Sequence, residues 1–218
     1  MTETIRLARS ADRLPLTALL TEVFSTDPLM EAITAPAPDP LAALQHLLDF
    51  ELTGHYLCPK APTTTDLVID HTGRILAAAL WDNPIHAGAK PTGPLGIGGE
   101  PGSVPEGIDH SIMGPAWDLC LLDGRLCETV RPLAPHWHLQ MLAVTPGLQG
   151  LGLGSRLLRH GLTRAAADAL PVHLESTTPS SKRLYERHGF QEVAELGPCD
   201  PLPRYWALIR PANAKDQA

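Results

Sequence analysis

The spacing of apolar residues changes period several times along the chain, and each change marks an element. Ile5 and Leu7 flank Arg6, the alternation of a short strand. Leu14, Leu19, Leu20, Val23 and Phe24 then recur at helical spacing. Ser10 is placed to cap that helix, and Pro28 ends or redirects it. Pro36, Pro38 and Pro40 mark a turn-rich spacer. Over 41–56 the stripe Leu44, Leu47, Leu48 and Leu52 predicts a second helix. Two strand-like runs, 67–70 and 75–81, enclose His71-Thr72-Gly73-Arg74 and predict a hairpin.

No period survives over 82–115, where 8 glycines and 6 prolines fall within 34 residues. A loop of that length is uncommon inside a compact domain, so the stretch reads as a functional flap or an insertion. Helical spacing returns over 116–130 through Trp117, Leu121, Leu122 and Leu126. A strand over 138–144 leads into a Gly-rich turn at 149–154. The helix that follows, to about residue 169, has Leu157, Gly161 and Ala165 in one row and Leu158, Leu162 and Ala166 in the next. A strand over 172–176 comes next, then a short helix that Ser180 or Ser181 caps and Gly189 terminates. Strands over 191–196 and 205–209 close the pattern. The order is that of an α/β (α+β) fold with one strand–helix–strand crossover, and at roughly 150 residues per domain 1–218 reads as a single large domain.

Composition narrows the function classes. A hydrophobic content of 44% supports a packed core. The formal net charge of −7 argues against a protein that coats nucleic acid, and no apolar run reaches the roughly 18–20 residues of a membrane span. Glu3, Arg6, Arg9 and Asp12 stand where a secretory leader would be apolar. Cys58, Cys120, Cys127 and Cys199 contain no CxxC pair and read as free thiols of a cytoplasmic protein. The sequence is neutral between a monomer and a homodimer.

The chemistry-bearing feature is Gln149-Gly150-Leu151-Gly152-Leu153-Gly154, between a strand and a helix. Glycines let backbone approach a ligand, and the first amides of the helix lack internal partners and sit at its positive end. Together they form an anion cradle suited to phosphate or pyrophosphate. A P-loop is excluded, because no Lys follows the glycines. A dinucleotide fingerprint fits Gly150 and Gly152 but meets Ser155 at its third position, with Glu175 available as the acid of the next strand. Against it, five residues separate strand from glycine, and too little chain remains for further βαβ units.

A third class fits both ends of this segment. Leu142, Val144, Pro146, Gln149, Gly152 and Gly154 match a strand ending L-x-V-x-P followed by Q/R-x-x-G-x-G/A, and Leu184, Tyr185, Glu186, Gly189 and Phe190 match L-Y-E-x-x-G-F. In that order and spacing they resemble the acetyl-CoA motifs of the GNAT N-acetyltransferase superfamily. The strand ending at Trp81 and the His136-Trp137 approach are similar to its puromycin N-acetyltransferase-like branch. The resemblance implies a GNAT fold: a mixed central sheet, flanked by helices, that splays between two parallel strands. It implies acetyl-CoA as co-substrate, with no metal. The pantetheine would lie along Met141, Leu142, Ala143 and Val144, and the pyrophosphate on the amides of Gln149, Gly150, Leu151, Gly152, Leu153, Gly154 and Ser155. Where many members carry Asn before the Tyr, this chain has Thr178 and Ser181, so the Ser181 hydroxyl takes the pantetheine contact.

The implied reaction is direct attack of a small-molecule primary amine, an antibiotic or related metabolite, on the thioester. A protein or peptide amine is the alternative acceptor, and a non-catalytic acyl-CoA-binding regulatory module is the alternative of another class. Tyr185 matches the family's general acid. His138 is the first candidate base, and Glu175 the second. Alternation places His138 and Gln140 on one strand face and Leu139 and Met141 on the other. His136 and His138 could be two metal ligands, but no Asp or Cys accompanies them at ligand spacing. Trp81 is the candidate substrate-contacting aromatic.

Overall fold

A computed structural model describes residues 3–84, 106–197 and 201–212. Seven strands form one sheet: β1 (Thr4–Leu7), β2 (Thr63–Ile69), β3 (Ile75–Asp82), β4 (Trp137–Val144), β5 (Val172–Ser176), β6 (Gln191–Leu196) and β7 (Tyr205–Arg210). Their spatial order is β1-β2-β3-β4-β5-β7-β6. Every pairing is antiparallel except β4 with β5. That parallel pair needs a crossover, supplied by α6 (Leu153–Ala167).

Before the sheet's centre come α1 (Arg13–Phe24), α2 (Pro28–Thr34) and α3 (Pro40–Glu51), which runs on as a π-helical turn over Leu52–Tyr56. Pro28 redirects the chain: it opens α2, with the Asp27 carboxylate accepting from the amides of Leu29 and Met30. Ser10 is not the cap of α1. It starts a 3₁₀ turn, and Asp12 accepts from the Arg9 amide at 2.7 Å before α1 begins. Further helices are α4 (His110–Met113), α5 (Ala116–Val130) and α7 (Pro179–Arg187). The cap of α7 is Thr178 rather than Ser180 or Ser181; its hydroxyl accepts from the Ser181 amide at 3.1 Å. Of the breaker-rich stretch 82–115, Asp82 still belongs to β3, α4 supplies a short helix that the sequence pattern did not show, and residues 85–105 lie outside the described set. Among the described residues, no helix is long and apolar enough to cross a membrane. Cys58, Cys120 and Cys127 are free thiols, and Cys199 lies outside the described residues.

Apolar side chains are buried on both faces of the sheet. Leu157, Leu158 and Leu162 of α6 cover Trp81, Leu139 and Leu174 on one face. Leu16 and Leu20 of α1 and Leu44 and Leu48 of α3 cover Leu67, Leu80 and Met141 on the other. A third cluster joins α2, α4 and α5 to Tyr205 and Ala207 of β7.

Two details of the packing overturn expectations from the sequence. Met141 pairs with Leu80 and Leu139 with Trp81, so Gln140 is an extra residue against β3. This bulge breaks the alternation. Leu139 therefore lies beneath α6 and Met141 beneath α1 and α3, on opposite faces instead of one. Trp81 is also not at a substrate surface. It is 0% exposed, and its indole lies against Gly161 of α6, where an added Cβ would come within 2.1 Å of the ring. Only glycine lets the helix pass this close.

Candidate active site

The parallel pair β4–β5 starts in register and then opens. Only Trp137 with Val172 and His138 with His173 are paired. Past His138, and past the bulge, the β5-facing backbone of β4 has no strand partner there. On the far side of this gap α6 begins without a side-chain cap. Its entry is a turn in which Gly150 and Gly152 take φ of +80° and +86°. A Cβ at either glycine would meet nothing within 4 Å, so backbone conformation and not crowding requires them. The Gln149 side chain folds back onto the Val144 carbonyl at 3.3 Å.

A cleft of about 760 Å³ follows the gap. Met141, Leu142, Val144, Gln149, Gly150, Gly152, Gly154, Ser155 and Ser181, all expected at the cofactor, line it. Ala143, Leu151 and Leu153 do not: Ala143 and Leu153 are core residues and Leu151 is 68% exposed. Where the resemblance led to Ser181, its hydroxyl lies 2.8 Å from both the Ser176 and Thr178 hydroxyls. This small hydroxyl cluster ties the start of α7 to the end of β5.

The residues present fit a CoA-type molecule on two counts. An uncapped helix N-terminus behind a glycine turn suits a pyrophosphate, and an unpaired strand edge suits a pantetheine amide. Tyr185 of α7 lines the same cleft and is 7% exposed. Burial, and then the nearby Asp27 charge, push its phenol well above the usual tyrosine value.

The first candidate base is placed differently from expectation. His138 is 2% exposed and is not part of the cleft lining. Its Nε2 lies 2.7 Å from Glu175 Oε2 and its Nδ1 lies 3.1 Å from Asp82 Oδ2. Burial acts to lower its pKa. The Glu175 charge and hydrogen bonds to Asp82 and Glu175 outweigh that, and the net shift is upward, toward imidazolium. A histidine held protonated between two carboxylates is a poor direct base. Glu175, by contrast, lines the cleft. Burial would raise its carboxyl, but the His138 charge and hydrogen bond prevail and hold it at about 2. Asp82 in turn lies 2.7 Å from His55 Nε2, at the π-helical turn. Burial opposes ionisation there too, yet hydrogen bonds from His138 and His55 keep Asp82 well below the usual carboxylate range.

Asp82 and His55 were not among the residues singled out from the sequence. Nothing in the local pattern signals them, since residues 55, 82, 138 and 175 come from four separate elements. His173 stacks on His138, with ring centroids 5.5 Å apart; burial pushes it down to about 4, so it stays neutral. Among the described residues, His138, His173 and Glu175 could group around a cation, with ligating atoms within 4.8 Å of one another. The 2.7 Å separation of His138 Nε2 and Glu175 Oε2 is, however, a hydrogen bond. Two ligands of one tetrahedral zinc stand roughly 3.3 Å apart.

Acidic side chains outnumber basic ones in the cleft lining. Asp27, Glu51, Asp123, Glu128 and Glu175 stand against Arg131 and Arg187 in the whole lining. Asp123 accepts from the Tyr205 hydroxyl at 2.7 Å. Glu51 is 4% exposed, and its Oε2 has no hydrogen-bond partner among the described residues.

Residues 119–192 match the family model described as acetyltransferase (GNAT) domain. Among solved structures, the chain is similar to histone acetyltransferase HPA2 and related acetyltransferase from Corynebacterium glutamicum: 27% identity over 97% of both chains, TM-score 0.71. It is also similar to arylalkylamine N-acetyltransferase 2 from Aedes aegypti, at 15% identity over 98% of this chain and 100% of that one, TM-score 0.69. A third is the polyamine N-acetyltransferase of Drosophila melanogaster that forms N-acetylagmatine: 21% identity, 95% and 99% coverage, TM-score 0.62. The sheet with its one parallel pair and flanking helices is the GNAT fold.

Proposed function

Since the chain carries a GNAT acetyltransferase domain, the domain of acyl-CoA-dependent N-acetyltransferases, we propose that it transfers acetyl from acetyl-CoA to the primary amine of a small molecule by direct attack. The observation that carries this is one cleft lined by the uncapped start of α6, the Tyr185 phenol and the Glu175 carboxylate. Bound acetyl-CoA supplies an acyl thioester, with the carbonyl as electrophile and the thiol as leaving group.

The chain's own groups meet the needs of that chemistry. An alkyl amine is protonated at neutral pH and must lose a proton before it attacks. Glu175 lines the cleft as a carboxylate held at about 2, so it pairs with and orients the ammonium, whose proton passes to water. His138 and Asp82 act behind it as positioning residues, holding its Oε2 at 2.7 Å from an imidazolium. Tyr185, with its phenol held protonated by burial, is the donor for a developing thiolate. The β5-facing amides of the Leu142–Val144 segment, which no strand occupies, are available to an acyl oxygen.

The acidic balance of the cleft lining supports a cationic amine. Solved relatives named for arylalkylamine and polyamine acetylation support a free small molecule. The likeness of its motifs to the puromycin-like branch supports an antibiotic or related metabolite over a protein acceptor. The test is thiol release from acetyl-CoA across a panel of small amines and a lysine-containing peptide. Release with small amines and not with the peptide is expected. Tight CoA binding with no release from any acceptor would overturn the proposal in favour of a regulatory module.

A further inference from the structure

We propose that the acceptor is an amine with a second cationic group, a diamine or polyamine, whose distal cation is held by Glu51 and Asp123. The inference rests on the acetyl-transfer reading of the cleft and adds the substrate class.

The argument begins with which carboxylates are already engaged. Asp27 caps α2 and accepts from the Thr177 hydroxyl. Glu175 is bound to His138. Asp123 accepts from the Tyr205 hydroxyl with one oxygen. Glu51, the last residue of α3, is buried in the cleft wall with Oε2 unmatched among the described residues. A buried carboxyl oxygen with no partner is costly, and one in the wall of a cleft can be completed by a ligand that enters it.

Asp123 is close enough for its charge to act on Glu51. Burial first, then Asp82 and Asp123, push Glu51 up to about 8. Burial likewise raises Asp123 to about 6, with Glu175 and Asp27 adding to the rise. Two neighbouring carboxyls that resist ionising together accept an ammonium or guanidinium readily, because the cation removes the repulsion. Arg131 also lines the cleft but does not hydrogen-bond Glu51 Oε2. The same cleft lining combines Glu51, Asp123 and Glu175 with apolar side chains, among them Met30, Ile33 and Leu47. That arrangement suits two nitrogens joined by a hydrocarbon spacer. One nitrogen is deprotonated to attack, and the other keeps its charge.

Competing acceptors fit less well. A monoamine or arylalkylamine would seal Glu51 Oε2 against hydrocarbon, and an amine bearing a carboxylate would set it against two acids.

The test is titration calorimetry on the CoA-loaded protein with putrescine, n-butylamine, phenethylamine and γ-aminobutyrate. Putrescine is expected to bind about tenfold or more tightly than n-butylamine, on the order of one good ion pair. Glu51→Gln and Asp123→Asn, each checked for an unchanged fold by circular dichroism, are expected to bring that ratio close to one. Equal or tighter binding of any of the other three amines, or a ratio that survives both substitutions, would overturn the inference. Because the readout is binding, its failure is separable from that of acetyl transfer: thiol release from all the amines with no putrescine preference removes only the substrate class. Putrescine preference without thiol release removes only the reaction.

Discussion

His138 Nε2 lies 2.7 Å from Glu175 Oε2, joining a buried residue of β4 to a residue of β5 that lines the cleft. The bond crosses the parallel pair β4–β5 at its last paired position, His138 with His173. The strands open immediately beyond, so the carboxylate stands at the mouth of the gap. Glu175→Gln keeps the shape but removes the charge from the cleft lining. The expected result is a fall in kcat on the order of 100-fold, with the KM for acetyl-CoA little changed, measured by thiol release. An unchanged kcat would remove Glu175 from the reaction.

The second partner of His138 should govern its protonation. Asp82 and Glu175 together raise the imidazole above its ordinary 6.5 against the effect of burial. A folded-state pKa raised in this way contributes stability that is complete below the unfolded value and is lost as pH rises through the folded value. In Asp82→Asn the NMR titration midpoint of His138 should therefore move down. The alkaline loss of thermal stability should begin at lower pH. A midpoint that stays in place would show that Glu175 alone sets it.

Tyr185 has a phenol kept protonated by burial in the cleft wall. Tyr185→Phe removes the proton and leaves the ring packed on Phe190, whose centroid is 5.7 Å away. A drop in kcat of more than about tenfold is expected at saturating acetyl-CoA, with the melting temperature nearly unchanged. An unaltered rate would leave the thiolate to be protonated by solvent.

Glu51 carries a stability signature as well as a binding one. Its carboxyl is raised from 4.5 to about 8, chiefly by burial. Below pH 4.5 it is protonated both folded and unfolded, so it has no differential effect. As pH rises from there toward 8 the unfolded chain ionises first, and the folded state loses stability relative to it. Glu51→Gln has no such cost. The variant should melt higher than the parent at pH 8 and at about the same temperature at pH 4; a parent that is the more stable at pH 8 would contradict the assignment.

Gly161 tests the packing that removed Trp81 from the cleft. Alanine is worth up to about 1 kcal/mol over glycine in a helix interior. Here its Cβ would sit 2.1 Å from an indole that is 0% exposed and cannot move aside. Overpacking of this kind costs about 1–3 kcal/mol, so the clash should win and Gly161→Ala should lower the denaturation midpoint. A stabilised variant would mean the indole has room.

Periodicity carried most of the architecture. The strands over 75–81, 138–144 and 172–176 and the helices over 116–130 and from 153 onward lie within a residue or two of β3, β4, β5, α5 and α6. The glycine turn was legible too, because positive φ at Gly150 and Gly152 demands glycine whatever the surroundings. The missed elements are those that neighbours decide. Thr178 took the capping role expected of Ser180 or Ser181, since a hydroxyl a few residues away competes on equal terms, and α1 begins with no side-chain cap, Asp12 being turned back to the Arg9 amide. The Gln140 bulge exists only relative to β3, so no pattern within 138–144 could disclose it.

Local spacing and turn chemistry determined, by themselves, which segments became strands and helices and where the glycine turn ahead of α6 lies, because both depend on residues adjacent along the chain. Tertiary structure alone decided which chemistry-bearing side chains meet. The single extra residue at Gln140 turned β4 over between Leu139 and Met141. Folding brought His55, Asp82, His138 and Glu175 into one hydrogen-bonded row from four different elements. It put Glu175 in the cleft lining and left His138 out of it, buried between two carboxylates that favour imidazolium. It also placed Glu51, an ordinary acid at the end of a helix, where its charge is costly unless a cation meets it.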